Sequence, residues 1–342
     1  MFSLNNFSSI KKKLSTATGF FISGFLLWLL VKQSQVELKQ VYDIIPPPGN
    51  ALLFSCAMAL FVCTVYMHSL RTQTIFVDKN KPSHKISALP SLAIGNLYNC
   101  LLPGNLGEGF RALHFSRVNN ISFASTFAIF FLEKIVDAFL SIPLFITLLI
   151  IFPFKHHLLQ YGILLVLVAI VTCTFTFFAL SKSDKITKGI FNLVPQKKLK
   201  VFLFKVYKYG TNHFKRMKEN KTILHYSILT YCMFFTTVLQ YFIILKIVKV
   251  PEPLLSFNTA LLLSLTMIII AFIPSAPGNI GVAHYGIFAS LMMVTTVLEI
   301  GYTTHHLKQF ALVGICMHAS YFIPEVLIGI YFMLRGCKII FK

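Results

Sequence analysis

Negative charge is scarce in this sequence. Only 11 of its 342 residues are Asp or Glu, against 31 Lys and Arg, and charged residues make up 12% of the chain. Soluble domains carry about 25% charged residues. Because 56% of the residues are hydrophobic, the composition excludes an ordinary soluble enzyme and a disordered chain. It predicts an all-α polytopic membrane protein that forms a single membrane domain over residues 1–342.

Several signatures of chemistry are also missing. The seven cysteines form no Cys-x-x-Cys pair and mostly lie in apolar runs. We interpret them as small buried hydrophobic residues, which excludes a zinc site and a disulfide framework. The sequence has no P-loop, no His-Glu-x-x-His and no Gly-x-Ser-x-Gly motif. We therefore expect no ATP-driven motor, no recognisable catalytic constellation, no metal and no cofactor.

Apolar runs long enough to cross a bilayer dominate the chain. A spanning helix needs roughly 20 mostly apolar residues. Lys11 to Lys13 precede the first run, but no small-residue cleavage site follows it, so we expect a retained span rather than a signal peptide. We predict about eight spans, at 14–31, 49–70, 121–152, 158–180, 223–247, 254–273, 279–298 and 308–334.

The basic residues predict the orientation of these spans. With the N-terminus inside, 24 Lys and Arg fall in inside segments and six in outside loops, while Lys134 lies within a span. Cytoplasmic loops carry an excess of Lys and Arg. We therefore expect a multi-pass protein with both termini in the cytoplasm.

The stretch 86–103 does not fit this count. It is apolar but interrupted by Pro90, Gly95, Asn96 and Asn99, and basic residues flank both ends. It is too short to cross the membrane twice, so we predict a re-entrant hairpin from the cytoplasmic side, which needs protein or a watery cavity around it. The alternative is an amphipathic helix on the membrane surface.

A five-residue segment occurs twice. The segment 103–107, Pro-Gly-Asn-Leu-Gly, recurs 174 residues later as 277–281, Pro-Gly-Asn-Ile-Gly. Paired hydrophobic segments broken by Gly and Pro point to the binding site of a transporter. The helix that follows each copy offers free N–H groups to an anion such as a phosphate head group. The alternative is a pair of tight turns between helices with no ligand.

Three charges lie within the third predicted span. Glu133 and Asp137 share a helix face, and Lys134 can pair with Asp137. Glu133 then needs another cation, for which Arg111 and Arg117 are candidates. Charges at such depth mark a substrate or ion path, or form an ion pair that locks two helices together, and both interpretations remain open.

The last span contains another acid, Glu325, directly after Pro324. It could couple transport to protons, or accept a hydrogen bond from a neighbouring helix. His284 and His318 also lie in apolar segments, where a single histidine is more often a hydrogen-bonded core residue than a proton relay.

The longest hydrophilic segment, 181–222, carries twelve Lys and Arg and two acids. It joins two halves, 1–180 and 223–342, that we expect to form a repeat. Its apolar positions predict a basic amphipathic helix on the cytoplasmic surface that attracts anionic lipids, and we expect no nucleic-acid partner. These positions are Leu199, Phe202, Leu203, Val206, Gly210, His213 and Met217.

Three motifs carry a resemblance to a known family. Residues 102–111 resemble its Gly-rich motif ending in Arg, residues 131–137 its Glu-Arg-x-x-Asp motif, and residues 273–282 its second Pro-Gly-Gly motif. The family is the lysylphosphatidylglycerol synthase transmembrane region, or flippase-like domain, and the resemblance runs along nearly the whole chain. Lys134 stands where the family usually has Arg, His284 near a position that is often acidic, and His318 where Arg is common.

The resemblance implies a bacterial inner-membrane protein that moves a phospholipid, anionic or aminoacylated, or a lipid-linked head group across the bilayer, with one half moving against the other. The family's soluble aminoacyl-transfer domain is missing, so we expect no synthesis of that lipid. A non-transporting accessory subunit and an intramembrane lipid-modifying enzyme are the alternatives, and a homo-oligomer or a lipid-pathway enzyme partner is conceivable. We expect Arg111→Ala or Glu133→Ala to abolish transport with expression intact.

The residues predicted to bind the lipid come from both copies of the repeated segment, the charged span and the last two helices. They are Pro103, Gly104, Asn105, Gly107, Glu108, Arg111, Glu133, Lys134, Asp137, Pro277, Gly278, Asn279, Gly281, His284 and Glu325.

Overall fold

The computed structural model describes residues 4–37, 48–76, 88–103, 106–151, 195–270, 273 and 275–335, with a few further positions between 164 and 192. These residues are almost entirely helical, and no strand occurs among them. The predicted all-α fold is thereby confirmed.

The helices are numbered here in chain order. A 3₁₀ turn, Glu252–Leu254, precedes α8, and a second, Pro277–Asn279, precedes α9. The α-helices are α1 (Leu4–Ser34), α2 (Pro48–Phe76), α3 (Leu89–Leu101), α4 (Gly107–Val118), α5 (Phe123–Ile151), α6 (Lys197–Glu219), α7 (Thr222–Val248), α8 (Phe257–Ile270), α9 (Val282–Val297) and α10 (Thr304–Leu334).

Four segments of the described chain are long and apolar enough to cross a membrane: Gly49–Phe76, Thr222–Val248, Pro277–Val297 and Thr304–Leu334. They match the predicted spans 49–70, 223–247, 279–298 and 308–334. The predicted spans 14–31 and 254–273 contain shorter apolar helices, Thr18–Ser34 and Phe257–Ile270.

The other two predicted spans differ from each other. The span 121–152 corresponds to the 29-residue α5, which is interrupted by three charges. Nearly all of the span 158–180 lies outside the described residues.

The chain forms two compact units. Unit 1 comprises Met1–Thr64, Ala93–Gly107 and Phe234–Gly336, and unit 2 comprises Val65–Leu92, Glu108–Met233 and Cys337–Lys342. Helices α2, α3 and α7 each contribute residues to both units. The repeat halves 1–180 and 223–342 stay a prediction.

Within unit 1, α9 packs against α1, α8 and α10. Its first turn contributes Val282 and Ala283 to a small apolar cluster with Ile270 of α8, against which Ile22 and Leu26 of α1 also pack. This packing places protein around the start of α9, directly after the second copy of the repeated segment.

Unit 2 has an aromatic core. Phe115 of α4 lies 4.7 Å from Phe76 of α2 and 5.6 Å from Phe130 of α5, measured between ring centroids. Met217 of α6 and Tyr226 of α7 are buried in the same cluster. Five helices of this unit therefore meet around the charged residues of α5.

The interrupted segment 86–103 contains one short helix, α3. The side-chain oxygen of Asn99 accepts a hydrogen bond of 2.7 Å from the backbone N–H of Gly107, the first residue of α4. The re-entrant hairpin and its place in the membrane stay predictions.

The basic segment folds as the predicted amphipathic helix, α6, but its apolar face is covered by protein. Phe202 packs on Phe123 and Phe127 of α5, with ring centroids 6.3 and 5.9 Å apart. Val206 and Met217 are buried. Because that face is occupied, the helix presents its lysines rather than its apolar stripe to its surroundings.

The cysteines follow the prediction only in part. Cys100 and Cys316 are buried, whereas Cys56, Cys63 and Cys232 are exposed. The buried interpretation is wrong for these three, because a small apolar side chain on a spanning helix can also lie on the surface that faces lipid.

Candidate functional site

The charged residues of α5 lie in unit 2 among cations and hydroxyl groups. Glu133 is 1% exposed, and its Oε2 lies 2.9 Å from Nη2 of Arg111, a residue of α4 that is also almost fully buried. The hydroxyl of Thr72 on α2 donates to Glu133 Oε1 at 2.6 Å and accepts from Arg111 Nη2 at 2.9 Å. Arg111, the first candidate, is therefore the cation that Glu133 requires.

Aromatic packing fixes the Arg111 guanidinium from another side. Its Cζ lies 3.9 Å from the ring centroid of Phe130. A guanidinium stacked on an aromatic face and paired with a carboxylate keeps a single orientation. The position of α4 relative to α5 is thereby fixed.

Asp137 pairs with a cation that the sequence did not single out. Both terminal nitrogens of Arg71 on α2 donate to its carboxylate, and the bond from Nη2 to Oδ2 is 3.1 Å long. Tyr226 of α7 donates to Asp137 Oδ1 at 3.3 Å, and Arg71 also donates to Thr230 at 3.3 Å. Asp137 thus links α2, α5 and α7.

Lys134 does not pair with Asp137, so that prediction is wrong. Its Nζ lies 2.9 Å from Oε1 of Glu108 on α4, whose Oε2 also accepts from Arg111 at 3.4 Å. Glu108 therefore lies beside two cations.

The cluster combines three acids with the cations Arg71, Arg111 and Lys134, and His68 Nε2 also lies 3.6 Å from Glu133 Oε2. Its members differ in exposure. Glu133, Arg71 and Arg111 are at most 2% exposed, whereas Lys134 is 56% exposed. Glu108 and Asp137 are about one-third exposed, at 30% and 29%. The cluster therefore has a closed interior and an open edge formed by Lys134, Glu108 and Asp137.

The sequence contains one signal that points to Arg71. Two acids on one helix face require two cations, and Arg71 directly follows a predicted span. Hydropathy ended that span at residue 70, whereas α2 continues to Phe76 because Arg71, Thr72 and Thr74 are buried with partners.

The second copy of the repeated segment is held within unit 1. His318 Nε2 donates to the carbonyl of Gly278 at 2.8 Å, and Ser275 donates to the side chain of Asn279 at 2.6 Å. His284 Nδ1 accepts from the N–H of Gly281 at 3.2 Å. The segment after Pro277 is therefore fixed by hydrogen bonds rather than left as an open loop.

The last glycine of each copy lies at a close backbone contact. Gly107, the first residue of α4, lies so near the carbonyl of Gly95 that a Cβ would overlap it. Gly281 caps α9 with φ of 87°, and a Cβ there would overlap the carbonyl of Ser23. The two copies therefore share a structural role, since each ends in a glycine at the start of a helix.

The remaining predicted residues fall into three groups. Pro103 lies in the bend after α3, while Gly104 and Asn105 lie outside the described residues. Glu325 accepts a hydrogen bond of 3.4 Å from Cys100 in unit 1. In the part of the chain that the structure describes, no three metal-ligating side chains lie together.

The described helices and these motifs can now be set beside known proteins. The family model described as "Lysylphosphatidylglycerol synthase TM region" matches residues 16–324. The chain belongs to this family.

The match to the lysylphosphatidylglycerol synthase transmembrane region covers nearly the whole chain, including both copies of the repeated segment, the charged cluster and most of α10. No curated protein and no solved structure matches the chain. The family identifies a membrane domain and fits a lipid and bilayer context.

Proposed function

We propose that this protein moves a phospholipid, or a lipid-linked head group, across the bacterial inner membrane, with both termini in the cytoplasm. The observation that carries the proposal is the charged cluster of unit 2, which combines a closed interior with an open edge. Polar and ionisable residues within apolar helices are costly and mark transport paths. The family context of a membrane domain supports the same function.

Each part of the cluster has its own role in this proposal. Lys134, the most exposed cation, binds the phosphate of the head group, while Glu108 and Asp137 bind an ammonium group if the head group carries one. Arg71, Arg111 and Glu133 bind one another and position the open edge. Arg111 thus acts on the lipid through Glu108 rather than by direct contact.

Unit 1 supplies a separate element of the proposal. The segment 277–281 leads into α9. The first backbone N–H groups of α9 lie at the positive end of its helix dipole. We assign to this segment, and to its first copy at 103–107, contact with the head group near the bilayer midplane.

Lys134→Gln tests this proposal with a matched control. Because Lys134 is more than half exposed and its pair with Glu108 lies at an open edge, its loss has little effect on folding. The control is Lys246→Gln, which changes an exposed lysine of α7 in unit 1. The three proteins are reconstituted into vesicles of phosphatidylglycerol and phosphatidylethanolamine, and the lipids retained after gentle purification are identified by native mass spectrometry.

The expected result is transport of one lipid and its enrichment on the wild type and Lys246→Gln, with at least a tenfold loss of both in Lys134→Gln. Equal transport by all three proteins would contradict the site assignment. Retention of bulk lipid only would contradict the translocase function.

A non-transporting accessory subunit is the second candidate. The observation that favours it is the balance of three acids against three cations in the cluster, which a purely structural ion-pair network would also show. Stable co-purification with a lipid-pathway enzyme, together with no transport by this protein alone, would support it. A chemically altered lipid would instead indicate an intramembrane enzyme.

A further inference from the structure

Glu325 is an acid within an apolar helix and has no cationic partner among the described residues. It lies in α10 directly after Pro324 and is partly buried. Its one hydrogen bond comes from the thiol of Cys100 on α3, at 3.4 Å from Sγ to Oε2. Across the described chain, no Lys, Arg or His nitrogen lies within 4.0 Å of its carboxylate. The three acids of the charged cluster in unit 2 differ in this respect, since each of them lies beside a basic side chain.

Neutral protonatable groups surround this carboxyl. Tyr321, one helical turn earlier on α10, has a buried hydroxyl that makes no hydrogen bond. Tyr241 of α7 is 4% exposed and interacts electrostatically with both Glu325 and Tyr321. The groups that face Glu325 are thus a thiol on α3, a phenol on α7 and a phenol on α10, and none of them carries a positive charge.

An ionised carboxylate in such surroundings is costly, because no cation among the described residues compensates its charge. A proton removes that cost without bringing a second charge into the apolar surroundings. Protonation forms one O–H bond from a carboxylate oxygen and a proton taken from water, and no electrons are transferred. The new O–H can donate a hydrogen bond, which the carboxylate cannot.

The row of polar groups continues along α10 toward the repeated segment. His318 lies three residues before Tyr321, and their ring centroids are 4.9 Å apart in an edge-on arrangement. Because a carbonyl can only accept, the bond between His318 Nε2 and the Gly278 carbonyl fixes the proton on Nε2. The ring centroids of His284 and His318 are 4.5 Å apart with the rings tilted by 39°, and His284 accepts from the Gly281 N–H. These contacts connect Tyr321, one helical turn before Glu325, to the backbone at 278–281, entirely within unit 1.

We propose that Glu325 is a proton-binding site of unit 1 and that its protonation acts through Tyr321 on the contact of His318 with Gly278. The site lies apart from the cluster of unit 2 and does not depend on which lipid, if any, the protein moves. The site lies beside a segment broken by Pro and Gly. A proton gradient would therefore act on unit 1 at Glu325.

The first test is infrared difference spectroscopy on the purified full-length protein as the pH is raised. A protonated buried carboxyl has a carbonyl stretching band that disappears on ionisation. We expect this band in the wild type, its loss in the isosteric variant Glu325→Gln, and its retention in Glu252→Gln, which changes an exposed acid of the same unit. Tyr321→Phe, which removes a polar group one helical turn from Glu325, should shift the pH midpoint of the band.

Two outcomes would overturn the proposal. One is an identical set of carboxyl bands in the wild type and Glu325→Gln. The other is a band that responds to added sodium at constant pH, which would identify a metal-cation site instead. Because the readout is spectroscopic, a failure of the lipid-transport assay leaves this test unaffected. If transport is observed, its pH dependence should flatten in Glu325→Gln and persist in Glu252→Gln.

Discussion

Arg111 and Glu133 form an ion pair of 2.9 Å in which each side chain is at most 2% exposed. Each also bonds to the hydroxyl of Thr72. Removing one partner from such a pair leaves an uncompensated buried charge, which costs about 3–5 kcal/mol, whereas removing both can be nearly neutral. The structure thus changes an expectation from the sequence: Arg111→Ala or Glu133→Ala should lower stability and expression as well as transport.

The first prediction concerns the coupling between these two residues. We expect Arg111→Met and Glu133→Gln each to lower the stability of the protein by about 3–5 kcal/mol, and the double variant to lose much less than the sum of the two. The apparent melting temperature in detergent measures all three effects.

A matched control for this comparison of single and double variants is the pair of Lys215 and Glu219 on α6. Their charged atoms are 3.8 Å apart, and their side chains are 77% and 59% exposed. Lys215→Met and Glu219→Gln should leave the melting temperature unchanged, because exposed pairs contribute little. Strictly additive losses at Arg111 and Glu133 would show that the two side chains act independently.

The second prediction concerns the glycine that begins α4. Gly107→Ala should destabilise the protein by about 2 kcal/mol or more, since the added methyl group meets the rigid backbone carbonyl of Gly95. Gly109→Ala, two residues later in the same helix, has open space around its Cβ and should stabilise by up to about 1 kcal/mol. Shifts of the melting temperature in the same direction for both variants would contradict the close contact of Gly107 with Gly95.

The third prediction concerns pH and His213 of α6, whose Nε2 lies 3.2 Å from the hydroxyl of Ser125. Burial, with a smaller effect of Arg216, lowers the pKa of His213 to about 4 from its ordinary value of 6.5. The folded protein therefore binds fewer protons than the unfolded chain between these pH values. The contribution of His213 to stability is complete above about pH 6.5 and is lost as the pH falls through 4.

The variant His213→Gln cannot take up this proton, so it should lose less stability than the wild type between pH 7.5 and pH 4.5. The measurement is the difference between their melting temperatures at the two pH values. His305→Gln, which changes an exposed histidine of α10, should follow the wild type. A wild-type slope in His213→Gln would mean that folding does not lower the pKa of His213.

The sequence predicted the helical membrane fold, the repeated breaks and, with Arg117 as the alternative, Arg111 as a candidate partner of Glu133. These features follow from composition, from Gly and Pro, and from the need of a buried acid for a cation. It failed for Lys134, because helical spacing shows which residues share a face but not which helix packs on that face. In the structure α4 brings Glu108 to Lys134, and α2 brings Arg71 to Asp137.

The end of α2 shows the same limit. Hydropathy treats Arg71 as the start of a loop, because it scores each residue without its partners. The helix continues to Phe76 because tertiary contacts satisfy Arg71 and Thr72. The contacts in the interior of the cluster therefore cannot be predicted from the hydropathy of each helix taken separately.

The hydroxyl of Thr72 has a dynamic consequence. It bonds at once to Arg111 of α4 and to Glu133 of α5 while belonging to α2 itself. None of these three helices can open locally without breaking bonds to the other two. Their backbone amides in unit 2 should therefore exchange with deuterium as one cooperative block, while the exposed turns of α6 exchange independently and earlier.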